Sequence, residues 1–187
     1  GGFDAIALCV NNRDAAGKPD PERLIEFVKM LEPSVGAVNL EDISQPNCYR
    51  VLDELRASCG IPVWHDDAQG TACVTLAGLL NALKLAGKSI QSIRAVLFGA
   101  GASNNTIASI LIQSGLDPQN LVMFDSRGGL HAGRDDLAQN PAKSRQWALA
   151  RISNPTRLAT MEEAMKGADV LISLSTPGPH VIKPEWI

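Results

Sequence analysis

Short apolar runs of strand length alternate with helix-spaced segments along the whole chain. This alternation constrains the fold more than any single motif. Strands separated by helices pair in parallel, and a parallel sheet needs those helices as cover. The apolar runs are Phe3 to Val10, Gly36 to Leu40, Ile61 to His65, Arg94 to Phe98, Leu121 to Phe124 and Asp169 to Leu174. Asp20-Pro21-Glu22 is a helix start: a cap, a proline in the first turn and an acid at the positive end of the dipole. Gln45-Pro46-Asn47 opens a second helix, and Cys59-Gly60 should close it, with Gly60 in the left-handed cap. A long helix is predicted from about Thr71 to Leu85, ended by Gly87. The expected fold is α/β: a Rossmann-like, doubly wound, mostly parallel sheet preceded by a smaller βαβαβ segment. The pattern restarts between residues 87 and 93, so residues 1–88 and 89–187 are predicted to be separate parts.

Two places in that pattern carry chemistry. Ile61-Pro62-Val63-Trp64-His65 runs into Asp66-Asp67, and Gly36-Ala37-Val38-Asn39-Leu40 runs into Glu41-Asp42. Each acidic pair therefore sits just past the carboxyl end of a strand, where open α/β sheets bind ligands. Adjacent carboxylates repel unless a cation or a shared proton offsets them. The reading is that the strand ends lie side by side and the acids converge on one hard divalent ion, Mg²⁺ or Mn²⁺. Helix caps and solvated loop acids account for such pairs equally well on spacing alone. His65 reads more readily as a core residue than as a ligand.

The second place is Gly99-Ala100-Gly101-Ala102-Ser103-Asn104, between a strand and a helix. Its two glycines permit a tight turn and close approach of a pyrophosphate to the helix start. Asp125 ends the following strand at the distance expected of an acid that binds the adenosine ribose. The third glycine of that fingerprint is Asn104 here, which is expected to loosen the helix or displace the cofactor. Arg127 would suit a 2′-phosphate and hence NADP, whereas Asp125 favours NAD. Ser175, in the turn Ser175-Thr176-Pro177-Gly178 after the last strand, is placed near the nicotinamide. A tight βα turn that binds nothing remains the plainer alternative.

Composition narrows the partners. The net charge of -3 gives no footprint for nucleic acid or an anionic membrane, and the longest apolar stretch, interrupted by Asn81 and Lys84, is too short to span a bilayer. Cys9, Cys48, Cys59 and Cys73 form no CxxC pair and are expected to be buried free thiols in a reducing compartment, the cytoplasm. The opening Gly1-Gly2-Phe3 lacks an initiator Met and a basic leader, as expected of a piece of a longer protein.

The segments Val38-Asn39-Leu40-Glu41-Asp42-Ile43, Ile61-Pro62-Val63-Trp64-His65-Asp66-Asp67 with Gln69-Gly70-Thr71-Ala72, and Leu79-Leu80-Asn81-Ala82-Leu83-Lys84 resemble the malic enzymes in their shorter bacterial form. Ala150-Arg151-Ile152-Ser153-Asn154-Pro155 and Lys183-Pro184-Glu185-Trp186 are similar to that family too. The resemblance implies oxidative decarboxylation of malate to pyruvate and CO₂ with reduction of NAD or NADP. It implies Glu41, Asp42 and Asp67 as ligands of Mg²⁺ or Mn²⁺. Asp66 would stand beside the metal as a catalytic residue that helps hold the charge, and Thr71 would start a helix facing the cofactor. Gly99, Ala100, Gly101, Ala102, Ser103, Asp125, Arg127 and Ser175 would line the cofactor. A homodimer or larger assembly is implied as well. The family's general-acid Tyr and general-base Lys lie in a region preceding this sequence, and Tyr49 does not match the former. The chain alone is therefore expected to bind ligands weakly and turn over malate poorly. Two other functions fit the same residues: a 2-keto acid decarboxylase such as one acting on oxaloacetate, without hydride transfer, and an inactive ligand-binding or oligomerisation module.

Overall fold

The computed structural model describes residues 2–187. The chain packs as two compact units, Gly1–His65 and Asp66–Ile187.

In the first unit, Asp20 caps helix α1 (Pro21–Leu31) by accepting from the Glu22 and Arg23 amides, as its sequence predicts. Strand β1 (Val38–Leu40), helix α2 (Asn47–Ser58) and strand β2 (Val63–His65) follow. The two strands pair in parallel, Val38 with Val63 and Leu40 with His65. Ile25 and Val28 of α1 and Val51, Leu52 and Leu55 of α2 pack with Leu40 and Val63 to make the core. On the surface Arg50 of α2 pairs with Glu22 and Glu54, and Lys29 of α1 also reaches Glu54.

Two expectations fail in this unit. Phe3 to Val10 is not a strand; these residues form no ladder, and Phe3 and Ile6 stand exposed. An apolar run becomes a strand only when another strand satisfies its backbone, and β1 pairs with β2 instead. The segment is thus βαβ in its sheet rather than βαβαβ. Gly60 is not in the left-handed region, because α2 ends with Cys59 extended. The Gly60 amide instead donates to the Glu32 carboxylate at 2.6 Å.

The second unit opens with a single π-helical turn, Asp66–Gly70, that runs into helix α3 (Thr71–Ala86). Gly87 ends α3 in the left-handed conformation, φ 64°, as its position predicts. Strands β3 (Ala95–Phe98), β4 (Leu121–Asp125), β5 (Gly128–Gly129) and β6 (Val170–Ser173) form one sheet in the order β5-β4-β3-β6. β3 runs parallel to both β4 and β6, and only the short β5 is antiparallel. Helices α4 (Ala102–Gln113), α5 (Asp135–Ala138), α6 (Ser144–Ala150) and α7 (Met161–Met165) complete it.

The sheet is buried on both faces because successive side chains alternate. Ala95, Leu97, Leu121 and Met123 face one core with Leu79 and Leu83 of α3, Ile107 and Leu111 of α4 and Leu149 of α6. Val96, Val122 and Phe124 face a second core with Met161 and Ala164 of α7. This is the doubly wound arrangement that the alternation of runs predicts. Packing divides the chain between His65 and Asp66, however, not near 88/89. Helix α3 carries its buried residues Ala72, Leu79 and Leu83 into the core of the sheet that follows it.

The cysteines are free as expected, but only Cys48 is buried; Cys59 is half-buried, and Cys9 and Cys73 are exposed. Among the described residues no helix is long and apolar enough to cross a membrane.

Candidate active site

The chain leaves β3 and turns toward β4 on one side, then later returns through β6 on the other. The strand order therefore reverses beside β3, and the crevice past the carboxyl ends of β3 and β6 is the position where such sheets bind ligands. Gly99 sits there with φ 105°. A Cβ on it would collide with the Leu174 carbonyl and lie 3.2 Å from Ser175 Cα. The glycine thus lets the turn after β3 lie against the turn after β6, which brings Ser175 beside Gly99. Gly101 is extended and caps α4, so Ala102 and Ser103 are the first residues of that helix.

Asn104 does not loosen this turn. It is fully buried, and its Nδ2 donates to the carbonyls of Phe98 (3.1 Å) and Gly99 (2.9 Å). Asn105 does the same one step on, donating to Ala100 (3.0 Å) and Gly101 (2.8 Å). Gln146 of α6 adds a third amide, Nε2 to the Ala100 carbonyl at 3.1 Å. Four consecutive carbonyls of the turn are held by side-chain amides. The sequence carried one sign of this, an Asn-Asn pair where a glycine was expected; Gln146 left none.

The acidic turn is tied to the same place. Ser103 Oγ donates to the Asp67 carbonyl at 2.6 Å, so the π turn of Asp66 and Asp67 is anchored on the first turn of α4. Within that turn Gly70 lies under the Asp66 carboxylate, where any Cβ would collide with it. Asp66 is exposed, while Asp67 and Thr71, the first residue of α3, are half-buried. In the first unit Glu41 and Asp42 follow β1 and are exposed. Glu41 accepts from Asn39 Nδ2 at 2.7 Å, and Asp42 is left-handed with φ 57°. His65 is fully buried at the end of β2. Among the described residues no three His, Cys, Asp or Glu side chains are gathered as a metal-binding group.

Asp125 ends β4, half-buried and heavily engaged. Arg134 grips its carboxylate with two nitrogens, at 2.8 and 3.2 Å, and the Arg127 amide donates to it at 2.8 Å. The Arg127 guanidinium turns to Asp136 at 3.2 Å, which Arg134 also holds at 2.6 Å. Hydrogen bonding to Arg134, reinforced by its charge and those of Lys143 and Arg127, keeps the Asp136 carboxyl far below the usual carboxylate range; the same network raises Arg134. Arg134, Asp136 and Lys143 had no sequence signal, because their partners lie across a loop.

The family model described as "Malic enzyme, NAD binding domain" matches residues 68–184. The chain belongs to the malic enzyme family. Its curated malic-enzyme relatives include the NADP-dependent enzyme of Halomonas elongata, 44% identical over 158 residues, 84% of this chain and 36% of that protein. The NAD-dependent malic enzyme of Geobacillus stearothermophilus is 39% identical over 179 residues, 95% of this chain and 34% of that one. The crystal structure of Entamoeba histolytica malic enzyme superposes with a TM-score of 0.96 at 55% identity, over 100% of this chain and 38% of that chain. This malic-enzyme chain therefore spans little more than a third of the length of those relatives. Its second unit corresponds closely to the matched dinucleotide-binding model, and α3 falls inside that match.

Proposed function

We propose that this chain is the metal- and dinucleotide-binding part of an enzyme that converts malate to pyruvate and CO₂ with reduction of NAD or NADP. One observation carries the reading: Ser103 joins the Asp66–Asp67 turn to the helix that follows the glycine turn. Carboxylates suited to hold a hard cation and a turn suited to a dinucleotide phosphate are thus joined by one hydrogen bond.

Each residue has a part. The turn at Gly99–Ser103, with the positive end of α4 behind it, would receive the pyrophosphate. Its carbonyls are already bonded by Asn104, Asn105 and Gln146, which leaves the turn little freedom to reorganise on binding. Ser175 and Thr71 would border the nicotinamide side.

Glu41, Asp42 and Asp67 would hold Mg²⁺ or Mn²⁺, with Asp66 helping to hold the charge. Their all-oxygen donor chemistry fits a hard ion. When bound, the metal would supply Lewis-acid chemistry at the substrate C2 oxygen, and the dinucleotide would supply the hydride acceptor. The working assembly would be a homodimer or larger, acting in the cytoplasm.

Mn²⁺ titration followed by electron paramagnetic resonance tests the ligand set. Asp67→Asn should weaken Mn²⁺ binding by about tenfold or more, with the far-ultraviolet spectrum unchanged. Equal Mn²⁺ affinity in variant and parent would remove Asp67 from the ligand set. In a steady-state assay the isolated 187 residues should form NAD(P)H from malate only weakly; robust turnover would overturn the partial-enzyme reading.

A further inference from the structure

Phe98, the last residue of β3, is a fixed point for the chain that follows β6. Its carbonyl accepts from the Leu174 amide at 2.9 Å and from Asn104 Nδ2 at 3.1 Å. Its ring meets the Trp186 ring in a T-shaped contact, centroids 5.9 Å apart and planes at 85°. Residues 174 and 186 thus both rest on Phe98, and residues 175–185 between them form a closed loop. Residues 175–183 lie in neither helix nor strand. The path of such a loop is set mainly by where its ends are held.

Trp186 is held from several sides. It is half-buried while Ile182, Lys183, Glu185 and Ile187 around it are exposed. Its ring packs against the core of Val96, Val122 and Phe124 on the outer face of the sheet. Its Nε1 donates to the Glu162 carboxylate of α7 at 3.0 Å. Lys183 Nζ stands 5.3 Å from the ring centroid and 3.8 Å from the same carboxylate. Lys183 and Glu162 are half-exposed, so their charges add little, and the packed ring is the stronger hold.

Gly99, the residue after Phe98, has φ 105°, and the Leu174 carbonyl and Ser175 Cα close against it. Its amide donates to the Phe124 carbonyl at 3.0 Å. Loss of the indole would uncover the Phe98 ring and free one end of the loop. Both changes loosen the backbone that lies against Gly99.

We infer that Trp186 is a positioning residue for the glycine turn: clamped on Phe98 and bonded to Glu162, it closes the loop after β6 and keeps the Leu174–Ser175 backbone against Gly99. The inference rests on the nucleotide-binding reading above.

Calorimetric titration of the full chain with NADH and NADPH, paired with amide hydrogen exchange, tests this. Trp186→Ala should weaken both dinucleotides by about five- to tenfold at a temperature well below its melt. Trp186→Phe, which keeps a ring on Phe98, should stay within about threefold of the parent. In Trp186→Ala the Leu174 and Gly99 amides should exchange about tenfold faster or more, with those of Ile107 to Leu111 in α4 at the parent rate. Unchanged affinity in Trp186→Ala, or faster exchange in α4 to the same degree, would overturn the positioning role while the nucleotide site stood. If the parent chain bound neither NADH nor NADPH, the nucleotide-binding reading itself would fall, and the role of Trp186 with it.

Discussion

Asn104 shows how a single buried amide replaces what a glycine usually does. Glycine at this position normally admits close packing of helix on strand; here the side chain fits and bonds the strand end instead. Asn104→Gly would follow the common fingerprint and yet leave carbonyls of the turn without their side-chain donors. It should cost about 1–3 kcal/mol of stability in a denaturant titration and weaken NADPH binding. Tighter binding by Asn104→Gly would mean that the asparagine obstructs the nucleotide. Gly99 has no such freedom, since φ 105° and the Leu174 carbonyl both exclude a side chain. Gly99→Ala should destabilise by on the order of 2 kcal/mol or more, a fall in Tm of roughly 4–8 °C at this chain length.

Between elements, Asp169 ties the segment after α3 to two strands of the sheet. It pairs with Lys88 and accepts from the Arg94 amide at 2.8 Å, at the entry to β3. The Lys88 hydrogen bond, then the Arg94 amide, lower its pKa below the ordinary aspartate value. A carboxyl depressed in the folded state adds stability above its unfolded value and loses it as pH falls through the folded one. Asp169→Asn should therefore lower Tm near neutrality, and the gap to the parent should close on acidification below about pH 4. A gap unchanged by pH would mean that the charge contributes nothing. Helix α7 depends on its start: Thr160 accepts from the Glu163 amide while Glu163 accepts from Thr160. Thr160→Ala should cost about 1 kcal/mol, read as a shift in the urea midpoint.

For the molecule as a whole, α3 decides where the chain divides. Ala72, Leu79 and Leu83 belong to the core that contains Leu97, Ile107 and Met123. A chain of residues 66–187 should give a cooperative melt and dispersed amide resonances. One of residues 89–187 loses the cover of that core and should aggregate or remain molten. If the shorter chain folded as well, α3 would be an appendage rather than part of the unit.

Strands β1, β2, β3, β4 and β6 could be read directly, because each is an apolar run bounded by turn residues. The capped helices could be read for the same kind of reason: an N-cap such as Asp20 or a C-cap glycine such as Gly87 acts within one turn of its own backbone. The glycine turn and the acid pairs were visible too, since their meaning lies in what flanks them by a few residues. The fate of Phe3 to Val10, the side on which α3 packs and the bonds that engage Asp125 were not visible. A strand exists only with a partner, and a helix chooses a core by which of its faces finds cover. Arg134 reaches Asp125 across a loop that no periodicity describes. Local propensity and spacing settled the elements of this protein; which residues face one another was settled by the folded chain, because contact between distant residues leaves no local trace.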